Sequence, residues 1–551
     1  MSAQPIRRWD QETALLAWLT ACISVISFLF YFRRGDILLY GDAVAHINIA
    51  RRVFDSRTPG LLQLGTVWLP LPHLLMIPFL LSNWMWKTGA GGSIPSMAAY
   101  VFGTVGIFRL VRDGLVSAAQ SAVMTRVAAW LAAIAYATNP NLIYLQATAL
   151  TEPLYLALFV WALVYFSDFV QESGTSGEKA RALTVSSPLV KCGFCLAAAC
   201  LTRYDAWFLA IAIGVAALLV ALRAKQRGVA PIRGLKKFVL LSAAAPILWL
   251  AYNAIVYRNP LEFANGPYSA KAIEQRSPAM SHPGAHDLQT AFSYFLKSAE
   301  LNLAAAGWQK VWLLLGLAGV IAGLARKQFR GHLWALLLLW VPIPFYSLSV
   351  AYSGVPIYVP AWWPFSYYNV RYGLELLPAF AVSLAVTVYF AAQVVQRRAF
   401  KFGVVAIALI FVATSYASIW KAPACFTEAA INSRGRIAVE RELADFIKAL
   451  PPDSTLLMYL GNHVGALQQA GVPLRRVINE GNHRTWKQPA DLDGLWERAL
   501  ADPAKYADFV IAFEGDAVSS GVQKRDLVSL AVIHVSGEPA ATIYRTRAPA
   551  R

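Results

Sequence analysis

Twelve separate apolar runs, each about 20 residues long, constrain this chain more than any other feature, because each is long enough to cross a bilayer as a helix. In hydrocarbon every backbone N–H and C=O must be paired within the protein, and runs of this length meet that as helices. Of the 551 residues 57% are hydrophobic and only 15% are charged, too little polar surface for a soluble globule of this size. Eleven runs read as crossings, at 11–32, 95–112, 126–147, 152–170, 188–203, 205–222, 238–257, 308–325, 333–350, 371–390 and 403–420. The twelfth, 68–86, is equally apolar, but counting it would move every later basic loop to the other side. It is expected to be re-entrant or to lie in the interface.

On that count the basic loops 109–126, 223–237, 326–331 and 391–402 share a side with Arg7 and Arg8. The positive-inside rule makes that side cytoplasmic. Much of the net charge of +18 is therefore topological, and it gives no reason to expect nucleic acid. The segments 33–94, 258–307 and 351–370, together with the C-terminal tail, fall outside. The first run is long and no small-residue cleavage site follows it, so it is expected to stay as an anchor. Four of the five cysteines, Cys22, Cys192, Cys195 and Cys200, lie in apolar runs, which leaves Cys425 and no disulfide framework. The Cys192–Cys195 spacing is that of a metal-binding pair, but inside an apolar helix with no second ligand pair it reads as packing.

From about residue 421 the pattern turns charged and alternating. A helix over 435–449, strands over 455–460, 476–478 and 509–513, a helix near 492–500 and a hairpin over 528–546 predict a small external α/β domain over 421–551. Two strands end in Gly-Asn-His, at 461–463 and 481–483, for which tight-turn chemistry is sufficient. Asp491-Leu492-Asp493 has the spacing of a metal-binding pair but sits where a helix begins, and capping accounts for it. No Gly-rich phosphate loop occurs in the chain, which argues against an ATP-driven pump.

The chemistry concentrates in the outer loops. Directly after the first run stands Tyr40-Gly41-Asp42-Ala43-Val44-Ala45-His46, continuing to Arg51 and Arg52 and followed by Trp68-Leu69-Pro70-Leu71-Pro72. Unpaired charge beside a membrane is expensive, so such a cluster marks a site unless Asp42 merely caps the short helix over 43–54. Glu152 opens the run after Thr151 and precedes Pro153, a favourable helix start in its own right. Arg203 and Asp205 stand between two short runs and are expected to pair. Arg371 begins the tenth crossing after an aromatic stretch that includes Trp362, Trp363 and Tyr368, with Glu375 one turn on as a candidate ion partner. The long outer segment 258–307 holds Tyr268, Lys271, Arg276, His282 and His286; Pro283 and Gly284 separate the histidines and argue against zinc.

The Asp42 loop, the Glu152 region and the Arg371 loop together resemble the GT-C superfamily of integral-membrane glycosyltransferases, with bacterial protein O-mannosyltransferases and aminoarabinose transferases as the nearest types. The resemblance implies a GT-C-like membrane domain over 1–420 and an inverting transfer of a sugar from a polyprenyl phosphate carrier to a glycan, lipid or protein acceptor outside a bacterial inner membrane. It implies Asp42 as base, or as ligand of a divalent cation such as Mg or Mn, with no cofactor required otherwise. Glu152 is implied as a second carboxylate and Arg371 as the grip on the lipid phosphate; His46, one turn beyond Asp42 on the same helix face, is expected at the catalytic centre, to hold Asp42 in place or bind substrate. Tyr40, Arg51, Arg52, Arg203, Tyr268, Lys271 and Tyr368 are expected around the substrates. The family usually carries an arginine before its second carboxylate, and 146–150 has none. Two other classes stay open: a secondary transporter, which should show internal repeats and broken helices at mid-membrane, and a scaffold that presents the C-terminal domain and leaves Asp42 dispensable.

Overall fold

The computed structural model describes residues 10–116, 121–174, 186–226, 232–272, 282–326, 333–461, 463–482, 493–522 and 527–546. Its helices are α1 (Gln11–Arg34), α2 (Gly41–Arg52), α3 (Leu71–Leu80), α4 (Ala90–Val116), α5 (Ala122–Ala137), α6 (Pro140–Leu145), α7 (Glu152–Gly174), α8 (Ser186–Cys200), α9 (Asp205–Gln226), α10 (Ile232–Tyr257), α11 (Leu288–Leu303), α12 (Ala306–Ala325), α13 (Pro342–Tyr352), α14 (Leu377–Val394), α15 (Arg398–Ala417), α16 (Ala424–Asn432), α17 (Arg434–Lys448) and α18 (Val464–Ala470), with shorter turns between.

Among the described residues nine helices, not eleven, are long and apolar enough to cross a membrane. The other two expected crossings are shorter for local reasons. The run 126–147 breaks at Asn139, whose side chain accepts from the N–H groups of Asn141 and Leu142 while Pro140 opens the next helix. The run 188–203 ends at Cys200, and its 15 helical residues span about 22 Å, short of the hydrocarbon thickness. The apolar 68–86 forms the short helix α3 and the start of a second short helix, Asn83–Thr88, rather than one long helix.

The ends of α1 have ordinary local causes. Asp10 caps α1 by accepting from the Thr13 N–H at 2.9 Å, Arg33 and Arg34 occupy its last turn, and Gly35 closes it in the left-handed region at φ 77°. The segment from Val370 to Val394 is the hub of the bundle and is almost wholly buried, whereas α1 and α10 leave most of their surface outward. The basic end of the bundle is tied together by Arg112–Asp10 at 2.7 Å, Arg126–Glu12 at 2.5 Å and Arg109–Asp168 at 3.4 Å. Glu152 opens α7 at the opposite end, about 24 Å from Asp168 along the helix.

The C-terminal domain is a five-stranded sheet in the order β2-β1-β3-β5-β4, with β1 Leu456–Met458, β2 Val477–Ile478, β3 Phe509–Phe513, β4 Val528–Ile533 and β5 Ala541–Arg545. β1 pairs in parallel with β2 and β3, while β5 runs antiparallel to β3 and β4. The domain is docked on the membrane domain. Arg436 donates to the carbonyls of Leu38 and Leu39, both at 2.9 Å, Gln468 accepts from Asn48 at 2.7 Å, and Asn482 donates to Thr58 at 3.0 Å. These bonds hold the sheet's loops over α2.

Candidate active site

Asp42 lies in the first turn of α2 but does not cap it: Tyr40 holds the capping position and makes no side-chain cap bond. The Asp42 carboxylate instead pairs with Arg371. Arg371 sits on a 3-10 turn, Val370–Leu376, where Gly373 lies so close to the backbone of Ser298 and Ala299 that no side chain fits. That contact presses the turn against α11 and aims Arg371 at the start of α7.

Three carboxylates converge on this one guanidinium. Besides Asp42 on Nη2, Glu152 accepts from Nε at 3.0 Å and Glu428 lies 3.5 Å from Nη1. The rings of Tyr40 and Tyr372 lie 4.9 and 5.3 Å from the guanidinium carbon and fix its plane. Glu152 continues the chain, because the same Oε1 takes Arg203 Nη1 at 3.0 Å. Arg203 then pairs with Asp205 and Glu375 at 3.0 and 3.1 Å, and the Tyr346 hydroxyl lies among all three. The expected Arg203–Asp205 pair is present. Arg371 and Glu375 share no ion pair, because Arg371 turns back toward α2 and α7 while Glu375 faces Arg203. Although 146–150 holds no arginine, Arg203 from a later loop lies beside Glu152.

Exposure sorts these groups by role. Side-chain exposure is 40% for Asp42, 8% for Arg371 and 2% for Glu152. Breaking a buried pair leaves an uncompensated charge, so the inner part of the network acts as a fixed frame. Asp42 is the member open to a partner.

Asp42 opens onto a cavity of about 420 Å³ between α2 and the C-terminal domain, with Arg52 and Trp68 on the membrane-domain side and Arg436, His463 and Glu480 opposite. The first Gly-Asn-His loop thus reaches this cavity through Gly461 and His463. The second fixes the domain, since Gln63 donates to the Gly481 carbonyl at 2.8 Å; His483 and Asp491 lie outside the described residues. A second cavity, of about 510 Å³, is almost entirely apolar and lies between α3, α4 and α7, with Phe79, Phe102, Leu158 and Trp161 in its wall and Leu154 two residues from Glu152.

The other expected site residues divide. Tyr40 is under Arg371 and donates to the Cys425 carbonyl at 2.9 Å. Tyr368 is half exposed and lies within electrostatic reach of Asp42. His46, expected on the face of Asp42, turns inward: it is buried, shares a 2.9 Å hydrogen bond with His73 and packs on Trp68. Burial, with Arg371 and Arg203 nearby, holds its imidazole down to about 3, so it is neutral. Arg51 is committed to Asp55, the Leu80 carbonyl and Asn83. Arg52 lines the cavity. Tyr268 and Lys271 are exposed and do not line the cavity beside Asp42, and Arg276 lies outside the described residues.

Glu428 was not anticipated. It stands on α16, whose buried Ala424, Cys425 and Ala429 share its face, and it accepts from the Val370 N–H at 2.7 Å. Burial pushes its carboxyl up to about 7 against the opposing pull of Arg371. A lone acid on the buried face of the helix after the last crossing was the available signal.

The divalent cation allowed at Asp42 by resemblance has no ready donor set. Among the described residues no group of three or more His, Cys, Asp or Glu side chains is placed to hold a metal ion, and one oxygen of the Asp42 carboxylate is held by a guanidinium.

No family model and no curated protein matches this sequence. Its fold is similar to that of ArnT from Cupriavidus metallidurans solved bound to undecaprenyl phosphate, with a TM-score of 0.54 and 13% identity over 94% of this chain and 97% of that one. The apo state of the same protein gives a TM-score of 0.53 and 13% identity over 95% and 98%. At this identity the likeness shows the fold alone, a helical membrane domain with a small C-terminal sheet domain.

Proposed function

We propose that this protein is an inverting glycosyltransferase that moves a sugar from a polyprenyl phosphate to an acceptor on the outer side of the membrane. One observation carries the reading: the exposed carboxylate of Asp42, which lines the polar cavity, pairs with Arg371, and Arg371 is held in turn by Glu152, two residues from Leu154 in the wall of the apolar groove. Such a junction suits a donor with a lipid tail and a charged head, and the similar ArnT structure was solved with undecaprenyl phosphate. The basic clusters at the far end of the bundle support the outer side for this reaction.

The isoprenoid tail lies in the groove beside Phe79 and Trp161 and the phosphate comes to Arg371. A phosphate oxygen displaces Asp42 from the guanidinium, since both need the same N–H groups, and so frees the carboxylate to act. The acceptor, a hydroxyl of a glycan, lipid or protein, attacks the anomeric carbon from the cavity side. Its proton passes to Asp42, the new C–O bond forms, the bond from carbon to phosphate oxygen breaks and the configuration inverts. The leaving phosphate monoester has a second pKa of roughly 6 and needs charge neutralisation more than a proton. Arg371 supplies it, held by Glu152, Tyr40 and Tyr372, with Arg203 behind.

The test is release of free polyprenyl phosphate from a panel of polyprenyl phosphate sugars by purified wild type and Asp42→Asn, with membrane extract as acceptor source. Release by wild type alone supports the reading; equal release by both removes Asp42 from the mechanism. No release by either well-folded protein returns the transporter and scaffold to first place.

A further inference from the structure

The face of α2 that floors the polar cavity is regular. Asp42, Ala45, Ile49 and Arg52 all line it, at spacings of three, four and three that stack on one side of a helix. Ten residues separate Asp42 from Arg52, about 15 Å along the axis. The two ends of this floor differ in what occupies them. Asp42 is paired with Arg371, whereas Arg52 Nε is buried with no hydrogen-bond partner among the described residues.

The adjacent arginine makes the contrast. Arg51 is fully used, by Asp55 at 2.8 Å, the Leu80 carbonyl at 2.6 Å, Asn83 at 2.7 Å and the rings of Phe54 and Trp86. The carboxylate that acts on Arg52 from the opposite wall is Glu480, and its two oxygens already accept the N–H groups of Leu460 and Gly461 at 2.9 and 3.3 Å. A second arginine of the cavity, Arg436, is held by Glu440 and by two backbone carbonyls. Of the two described arginines that line the cavity, Arg52 thus stands apart as the one that the described residues do not hold by hydrogen bonds. Between the two ends the floor is small at Ala45, and Trp68 lines the same space with an indole on which a sugar ring can stack.

Resting on the reading of the site as a glycosyltransferase, we propose that the cavity is built for an acceptor of oligosaccharide size that carries an anionic group, phosphate or carboxylate. The acceptor lies along α2 with its reacting hydroxyl at Asp42 and its anion on Arg52, under a roof formed by the C-terminal domain. A single monosaccharide is too short to reach both ends. The domain's task is then to close the acceptor site, which explains why Gly461 and His463 face α2 across the cavity.

The test measures binding without turnover, so that it stands or falls separately from the transfer reaction. Kd is measured, with no donor present, for a synthetic disaccharide phosphate, the same disaccharide with a carboxylate in place of the phosphate, the neutral disaccharide and an acidic peptide of similar length, using wild type, Arg52→Gln, Arg52→Lys and Ile49→Trp. Wild type is expected to prefer the anionic disaccharides over the neutral one by about tenfold or more, the scale of a charge-assisted hydrogen bond. The stronger of the two anions identifies the group. Arg52→Gln is expected to abolish the preference, Arg52→Lys to keep part of it, and Ile49→Trp, which blocks the middle of the floor, to weaken all the disaccharides. Thermal unfolding checks that each variant is folded. Equal binding of charged and neutral disaccharides by wild type, an unchanged preference in Arg52→Gln, tighter binding of the peptide, or loss of polyprenyl phosphate binding in place of acceptor binding would each overturn the proposal.

Discussion

Asp42 and Arg371, 329 residues apart in the chain, form an ion pair at the mouth of the polar cavity. The pair sets the first prediction. Asp42→Asn keeps the shape and a hydrogen-bond acceptor for Arg371 but cannot take a proton. It is expected to fold, to bind donor, and to lose about 10²- to 10⁴-fold in kcat, the usual contribution of a positioned base. Arg371→Ala is expected to act differently, raising the KM for donor. Steady-state release of polyprenyl phosphate separates the two, since Arg371 both grips and neutralises the phosphate and its loss is expected to lower kcat as well; a donor KM left unchanged together with an unchanged kcat in Arg371→Ala would detach that residue from the phosphate.

Glu428 gives a pH dependence with a definite sign. Its carboxyl is raised to about 7 by burial, so between the ordinary carboxylate range and 7 the folded state holds a proton that the unfolded state has lost. Stability from this group is therefore present at low pH and lost as pH rises toward 7. Above 7 the ionised Glu428 also competes with phosphate for Arg371. Glu428→Gln is expected to flatten the fall in Tm between about pH 5 and 7.5 relative to wild type and to lower the donor KM on the alkaline side. An unchanged Tm profile would show that the carboxyl titrates in its ordinary range.

The residues that a reader of the sequence finds here are those whose position is anomalous on its own: Asp42, Glu152 and Arg371 each put charge at the edge of an apolar run. Their convergence was legible through resemblance. Their partners were not, because a partner is chosen by tertiary packing. Glu375 is one turn from Arg371 and looks like its mate, yet the 3-10 turn sends it to Arg203. His46 is one turn from Asp42, yet burial against Trp68 and His73 decides its direction. Helix length failed for a similar reason, since hydropathy runs smoothly through Asn139-Pro140 while the backbone does not. The strands of the C-terminal domain were readable because each is a short β-branched or apolar run bounded by turns, whereas the docking of that domain onto α2 depends on contacts such as Arg436 with Leu38 that no local pattern announces.

The apolar groove should read the length of the donor's tail. Ala98 and Ala157 line it, and Ala98 is exposed on α4. Ala98→Trp adds bulk inside the groove without touching the charge network. It is expected to raise KM several-fold for a long-chain polyprenyl phosphate sugar and to leave a donor truncated to one or two isoprene units nearly unaffected. An equal effect on both donors would place the tail elsewhere on the protein surface.

The domain interface should depend on Arg436 through more than one bond. Its guanidinium holds the Leu38 and Leu39 carbonyls at the entry to α2 and Glu440, which is buried, at 2.7 Å. Arg436→Ala strands that carboxylate, already pushed up by burial, and leaves two carbonyls to find water. The expected cost is about 3 to 5 kcal/mol, the range for breaking a buried pair, with earlier proteolysis after α16 as the docked domain loosens. Replacing both partners, Arg436→Met with Glu440→Leu, removes the stranded charge and is expected to restore much of the Tm while leaving the cavity less well closed. Acceptor KM would then stay high in the double variant even though stability recovers. If stability and acceptor KM recover together, the pair serves only the fold of the C-terminal domain; if KM stays high, the pair also holds the roof over α2, which is where the acceptor must be kept from water and in line with Asp42.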